Sequence, residues 1–210
     1  MTTTAPAAPS ASAPGADAPL DAATKTALDV TISSLAEAEK TWATTSLADR
    51  AALLDRVHAS VVSASAEWAS TASAIKGLDP QSQAVGEEWI SGPYPVLTAT
   101  ATLARSIRAL AAGSSPIARK RLGTAPDGRV TIPVLPGNAY EAILLHGFSA
   151  EVWMPPQVTA DQVRAGAGLA ELNPTKTNGV GLVLGAGNIT SIPPLDVLYE
   201  IVAGLSLIHI

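Results

Sequence analysis

Asn188 is the polar side chain that the sequence places best for chemistry. It follows the permissive residues Gly185, Ala186 and Gly187 at the predicted carboxyl end of a short apolar strand, 180–184. In α/β proteins ligands gather at that end of a strand, and a side-chain amide there can donate a hydrogen bond to a developing oxyanion. The alternative interpretation is a turn asparagine that bonds its own backbone.

A dinucleotide-binding fingerprint is incomplete in this stretch. The pattern G-x-G-x-x-G after a strand begins at Gly185 and Gly187, but Thr190 stands in its sixth place. The segment 179–184 fails the same test. What remains is a tight glycine turn before a predicted helix, where backbone N–H groups and the helix dipole can favour an anion. A simple strand-to-helix turn is the alternative.

Other catalytic and metal-binding patterns fail on residue type or spacing. A nucleophile elbow, G-x-S-x-G, needs glycine at its last position, whereas the segment 146–151 is H-G-F-S-A-E. His58, His146 and His209 share no metal-ligand spacing, and the sequence contains no cysteine. The 210 residues therefore offer no predicted metal site, no disulfide and no cysteine nucleophile.

Composition limits the class of protein. With 47% hydrophobic and 15% charged residues, the chain can bury a sizeable core. The net charge is −5 and the basic residues are scattered, which argues against the clustered Lys and Arg of a nucleic-acid surface. Residues 1–19 lack the basic and apolar regions of a secretory signal. They are predicted to be a disordered tail, and the protein is expected to be cytoplasmic.

The apolar segment 192–210 is about long enough to cross a bilayer at ~1.5 Å per residue. It contains Pro193, Pro194, Asp196 and Glu200, however, and charges inside a membrane are costly. We therefore expect a buried crossover helix in this segment and no membrane partner.

Periodicity predicts a helical segment over 20–113, followed by a β-strand arm and connector over 114–177. The predicted helices cover 20–44, 46–76, 84–90 and 96–112, and Ser46 is the expected N-cap of the second. The predicted strands cover 129–135, 140–145 and 151–154. Pro133 favours a sheet edge for the first strand. A short helix over 159–172 and a polar loop over 173–177 lead into the Asn188 stretch.

The segment 179–188, G-V-G-L-V-L-G-A-G-N, is followed by an apolar, proline-containing segment and resembles the aldehyde dehydrogenase superfamily. In that family a strand of the type G-V-V-G-V-I leads into Pro-Trp-Asn-Phe-Pro and then a helix. The segment 46–54, S-L-A-D-R-A-A-L-L, is similar to the family's early helix, S-x-x-E-R-x-x-x-L. The resemblance covers most of 20–203, and only the Asn188 region is specific. It implies an α/β fold in which 178–203 is the first strand–turn–helix of a Rossmann-like NAD(P)-binding domain.

The resemblance also implies roles for individual residues. Asn188 matches the family's asparagine, whose amide helps to hold the thiohemiacetal oxyanion beside a catalytic cysteine. The backbone of Gly185, Ala186, Gly187 and Thr190 would lie beside the nicotinamide end of NAD or NADP. The substrate would be a small-molecule aldehyde, and the complete enzyme would be a homo-oligomer.

The chain departs from the family pattern in ways that limit this expectation. A-G-N-I-T replaces the usual aromatic-Asn-Phe-Pro, so a divergent member is expected. The family's cofactor-contacting lysine, second glycine motif, glutamate base and cysteine nucleophile are missing, and 204–210 is expected to be a non-native tail. We therefore expect an N-terminal fragment of an incomplete Rossmann-like fold, without turnover and without tight NAD(P) binding. The alternative is a non-catalytic helical and β-arm module that mediates assembly.

Overall fold

The computed structural model describes residues 21–172, 179–185, 187–204 and 207–209. The predicted tail 1–19, the polar loop 173–177 and Ala186 lie outside them. The described part is a mixed α/β structure in which helices predominate. Its helices are α1 (Ala22–Thr44), α2 (Leu47–Ile75), α3 (Val85–Ser91), α4 (Pro93–Ala111), α5 (Ala139–Leu144), α6 (Ala160–Gly166), α7 (Leu169–Leu172) and α8 (Ile192–Tyr199). Its strands are β1 (Gly123–Thr124), β2 (Val130–Leu135), β3 (Ala150–Trp153), β4 (Val180–Leu182) and β5 (Leu207–His209), and a π-helical turn (Glu200–Gly204) follows α8.

The core lies between α2 and α4, which pack along much of their lengths. Asp55 pairs with Arg108, and His58 lies 2.9 Å from the hydroxyl of Thr100. Since these partners occur in opposite sequence order, the two helices are antiparallel. Small residues let the backbones approach closely, and each Å² of apolar surface buried contributes roughly 25 cal/mol. The buried apolar residues of the pair include Ala51, Leu54, Ala69, Val96, Ala104 and Ile107.

α2 begins and ends where the sequence predicts. The Ser46 hydroxyl accepts a hydrogen bond from the Asp49 backbone N–H at 3.1 Å and donates to the Asp49 carboxylate at 2.6 Å. This satisfies one of the N–H groups that a helix start leaves without an intrahelical partner. After α2 the chain passes through Gly77 with φ of +67°, a conformation that glycine adopts without steric penalty.

α4 begins earlier than predicted. The G-P-Y-P stretch does end α3, but α4 starts at Pro93 instead of at residue 96. Proline fits the first helical turn because its missing N–H is not needed there. Gly92 separates the two helices, and a Cβ at this position would lie 2.5 Å from the backbone oxygen of Glu88. Only glycine therefore fits between α3 and α4.

β1, β2 and β3 form an antiparallel sheet in that order. The prediction that Pro133 places β2 at the sheet edge is wrong, because β2 is the central strand. β1 pairs only with Val130 and Thr131, however, so β2 has no β1 neighbour at Pro133. Instead, the Lys120 ammonium donates to the Pro133 carbonyl at 2.9 Å. A proline is tolerated because this part of the strand needs no N–H on the β1 side.

The predicted strand over 140–145 is wrong, because this segment forms α5. The Asn138 side chain accepts from the Glu141 N–H at 2.9 Å, and the Glu141 carboxylate accepts from the Gly137 N–H at 2.6 Å. These reciprocal bonds fix a helix start. The apolar residues of 140–145 suit a strand by type, but the local caps favour a helix.

The predicted helix over 159–172 is divided into α6 and α7. Thr159 caps α6 with a complete capping box, in which its hydroxyl accepts from the Gln162 N–H and the Gln162 side chain accepts from the Thr159 N–H. Gly168 has φ of +82°, which a continuing helix does not allow. α7 therefore starts as a separate short helix after this glycine.

β4, α8, the π-helical turn and β5 form a strand–helix–strand unit. β5 pairs parallel to β4, with Val180 opposite Leu207 and Leu182 opposite His209. Residues 207–209 of the segment expected to be a non-native tail thus form a strand. The expectation that 204–210 is non-native stays a prediction. α1 packs against this unit, and the Trp42 indole N–H donates to the Ile201 carbonyl at 3.1 Å. None of the described helices is both long and apolar enough to cross a membrane.

Candidate functional site

Asn188 lies in the loop that joins the carboxyl end of β4 to α8. Its side chain is exposed, and it makes no hydrogen bond to any other described residue. The turn interpretation requires a bond from this amide to its own backbone, and that bond is missing. The amide of Asn188 is therefore free to donate to a group that approaches the loop from outside.

The two glycines near Asn188 differ in the space around them. A Cβ at Gly185 would lie 2.8 Å from the Pro193 ring, so this position must be glycine for the loop to pack against α8. A Cβ at Gly187 would meet nothing within 4 Å. The close approach at Gly185 is thus explained by packing, whereas Gly187 leaves open space next to Asn188. The third predicted loop residue, Ala186, is outside the described residues.

Thr190 joins the loop to the helical core. Its hydroxyl oxygen accepts a hydrogen bond from the Trp68 indole N–H at 2.7 Å. The next residue, Ser191, is buried and its N–H donates to the Ser91 carbonyl at 3.3 Å. These two contacts fix the end of the loop against α2 and α3. Thr190 also lines a groove of about 390 Å³ along α2, together with Trp68 and Ile75.

The first turn of α8 has no backbone N–H left for an anion. Pro193 and Pro194 lack the group altogether, the Ile192 N–H donates to the Ile189 carbonyl, and the Leu195 N–H donates to Ser191. Phosphate binding at a helix start requires free N–H groups that point at the ligand. The anion interpretation therefore loses the donors at the start of α8, and a simple strand-to-helix turn stays the alternative.

Sequence reasoning missed a second site, at Arg50. This residue lies on α2 and only 3% of it is exposed. Its Nη1 donates to the Glu171 carboxylate at 2.8 Å, and its Nη2 donates to the Trp42 and Ala43 carbonyls at 3.0 and 3.1 Å. The guanidinium carbon lies 5.1 Å from the centre of the Trp42 ring, within the range of a cation–π contact.

In the pair of Arg50 and Glu171, the pKa of the glutamate is shifted. Burial raises the pKa of Glu171 above its ordinary value of 4.5, and the charge and hydrogen bond of Arg50 only partly offset that effect. No local pattern could have revealed the pair, because its partners are 121 residues apart. An arginine that faces the interior needs a buried acidic partner. The sequence does not show which aspartate or glutamate is the partner of Arg50.

Beside Arg50 and Glu171 lies a cavity of about 200 Å³ whose remaining lining is apolar. It is walled by α1, α2, α4, α8 and the π-helical turn, through residues that include Trp42, Leu54, Ile107, Leu198 and Val202. We call it the Arg50 cavity. It is separate from the Asn188 loop, since neither Asn188 nor Thr190 lines it.

The described residues contain no group of three or more His, Asp or Glu side chains that could hold a metal ion. The segment 146–149 lies between α5 and β3, and its serine is exposed without a histidine partner among the described residues. Comparison with protein-family models, with curated proteins and with solved structures finds no match for this chain. Function is therefore inferred from the residues of the chain and their geometry.

Proposed function

We propose that the chain is the N-terminal part of a divergent NAD(P)-dependent aldehyde dehydrogenase. The observation that carries the proposal is the strand–turn–helix unit formed by β4, the glycine loop and α8, with the exposed Asn188 amide at the carboxyl end of β4. That end of a strand is where open α/β sheets hold their ligands. The unit is the first part of a Rossmann-like domain in this proposal.

Asn188 supplies the oxyanion donor in this scheme. When a cysteine thiolate attacks the aldehyde carbon, the carbonyl oxygen becomes an anion that the Asn188 amide stabilises by a hydrogen bond. The thiolate must come from outside these 210 residues, which contain no cysteine. A free amide suits this role, because its N–H groups are not committed to other described residues.

The cofactor NAD(P) would accept hydride from the thiohemiacetal when bound. Gly185, Ala186, Gly187 and Thr190 are proposed to lie beside its nicotinamide end. Open space at Gly187 supports a flat ring approaching the backbone there. The first turn of α8 offers no free N–H for a phosphate, so the pyrophosphate is not proposed to bind there. The phosphates would need groups elsewhere.

The proposal is tested by sequencing the gene past codon 203 and expressing the reading frame that follows. We expect a downstream cysteine and glutamate, NAD(P)-dependent oxidation of aldehydes by the longer protein, and no turnover by the 210-residue chain. In the longer protein Asn188→Ala should lower kcat by about 10²–10³-fold, the effect of removing one oxyanion donor. Gly86→Ala, at an exposed position of α3, is the control and should leave kcat unchanged.

Two outcomes would contradict the proposal. One is robust aldehyde oxidation by the purified 210-residue chain, because no residue in it can replace a thiolate. The other is a downstream frame that lacks both the cysteine and the glutamate.

A second candidate function is an assembly module, favoured by exposed apolar side chains around α5 and β3. Ile143 is 80% exposed and Phe148 is 71% exposed, and Tyr140 and Trp153 lie nearby in the chain. Exposed apolar patches of this kind mark protein-contact surfaces. Sedimentation velocity separates the candidates: an assembly module should associate in a way that Ile143→Asp abolishes, whatever nucleotide is present. A chain that stays monomeric at every concentration excludes this candidate.

A further inference from the structure

The Arg50 cavity combines one buried charge with walls that are otherwise apolar. Its volume of about 200 Å³ exceeds the roughly 150 Å³ of an engineered apolar cavity that binds benzene. It is thus large enough for a single aromatic ring with a small substituent. The aliphatic walls come from Leu54, Ile107, Leu198 and Val202.

The guanidinium of Arg50 has one nitrogen that lacks an acceptor. Nη1 and Nη2 are both occupied by Glu171 and by backbone carbonyls, whereas the buried Nε–H has no hydrogen-bond partner in the described part of the chain. Buried donors of this kind are rare in folded proteins, since more than nine in ten are paired with protein or water. An acceptor supplied by a bound molecule would satisfy it.

The charge balance of the site defines the kind of molecule. The positive charge of Arg50 is already opposed by the Glu171 carboxylate at 2.8 Å. An anionic ligand would have to approach that carboxylate, and a cation would compete with Arg50 for it. A neutral molecule avoids both penalties and needs only one acceptor oxygen to pair with the free N–H.

We propose that the Arg50 cavity is a binding site for a small, neutral, ring-containing molecule with one acceptor oxygen, such as an aryl ketone. Its ring packs against the aliphatic walls, and its oxygen accepts from Arg50 Nε. Because Leu198 and Val202 belong to α8 and the π-helical turn, a bound molecule also fixes the helix that follows Asn188. The site does not depend on the aldehyde dehydrogenase proposal, since none of its residues belongs to the Asn188 loop.

Two probes of similar size test the site on the wild-type chain. Acetophenone has a ring and one carbonyl oxygen, and ethylbenzene has the ring without an acceptor. Saturation-transfer NMR titrations should show saturable acetophenone binding and about tenfold weaker ethylbenzene binding, the scale of one hydrogen bond to a charged donor. Equal affinities would overturn the assignment of Arg50 as the recognition group. Absence of binding by both probes would show that the cavity holds water only and would overturn the site.

A matched pair of variants locates the binding. Val202→Phe fills the cavity with its own ring, whereas Val62→Phe adds the same ring at an exposed position of α2. Acetophenone binding should disappear in the first variant and stay unchanged in the second, with folding of both checked by circular dichroism. Unchanged binding in a folded Val202→Phe variant would place the probe elsewhere. If Val202→Phe does not fold, the two-probe comparison on the wild-type chain still decides the proposal.

Discussion

The Arg50 cavity and the Asn188 loop represent two opposite uses of polar side chains. At the cavity, charged groups are buried and bound to one another by contacts that cross more than a hundred residues. At the loop, the polar amide is exposed, and the neighbouring Leu184 is 80% exposed as well. The first region is stabilised by contacts within the chain, and the second presents its groups outward. Substitutions should therefore affect stability at Arg50 and binding at Asn188.

The largest expected effect on stability is that of Arg50→Ala. It leaves the Glu171 carboxylate buried without its counter-charge and removes the donor to two backbone carbonyls. Breaking a buried pair in this way costs about 3–5 kcal/mol. Urea unfolding followed by circular dichroism measures the loss. Arg56→Ala, at an exposed position of the same helix, is the control and should change stability by less than about 0.5 kcal/mol. A loss below about 1 kcal/mol for Arg50→Ala would contradict a buried pair.

A second prediction compares the substitution of glycine by alanine in two parts of the molecule. Gly168→Ala would place a Cβ 2.5 Å from the Leu110 side chain at a φ of +82°, and should cost about 1–3 kcal/mol through strain and clash. Gly86→Ala, inside α3 with open space around it, should instead stabilise the protein by about 0.5–1 kcal/mol. Thermal unfolding of both variants gives the signs. Similar shifts for the two would contradict the packing described at Gly168.

Within the loop itself, Thr190 and Asn188 should differ. Thr190→Val removes the acceptor of the Trp68 indole N–H and should lower the free energy of unfolding by about 1 kcal/mol. Asn188→Ala removes a side chain without a described partner and should change it by less than about 0.5 kcal/mol. Chemical denaturation of the two variants side by side tests this ordering. The reverse ordering would mean that Asn188 supports the fold and is not a free donor.

The smallest effect is a pH dependence at Glu171. Burial raises the pKa of this carboxyl in the folded state, so the folded chain holds the proton more tightly than the unfolded chain. The stabilising contribution is complete below pH 4.5, the ordinary value, and is lost as the pH rises through the raised pKa. Glu171→Gln lacks this titration. The free energy of unfolding of Glu171→Gln, relative to that of the wild type, should therefore rise with pH from 4.5 upward. A difference in urea unfolding that does not change with pH would contradict the raised pKa.

Local signals explain why much of the helical structure could be predicted. The caps at Ser46 and Thr159 act within three residues, so their effect is visible in the sequence. The prediction at 140–145 was wrong because the apolar residues favour a strand by type, whereas the Asn138 cap begins a helix. The burial of Arg50 could not be predicted, because its partner Glu171 is distant in the chain.

The sequence by itself determined the caps at Ser46 and Thr159, the strand before Asn188 and the absence of any cysteine. Each of these depends on residue type or on neighbours within one turn of chain. The tertiary structure alone decided that Arg50 faces inward and that Thr190 bonds Trp68. These outcomes depend on contacts between segments more than a hundred residues apart, and such contacts exist only once α2 has packed against α7 and the Asn188 loop.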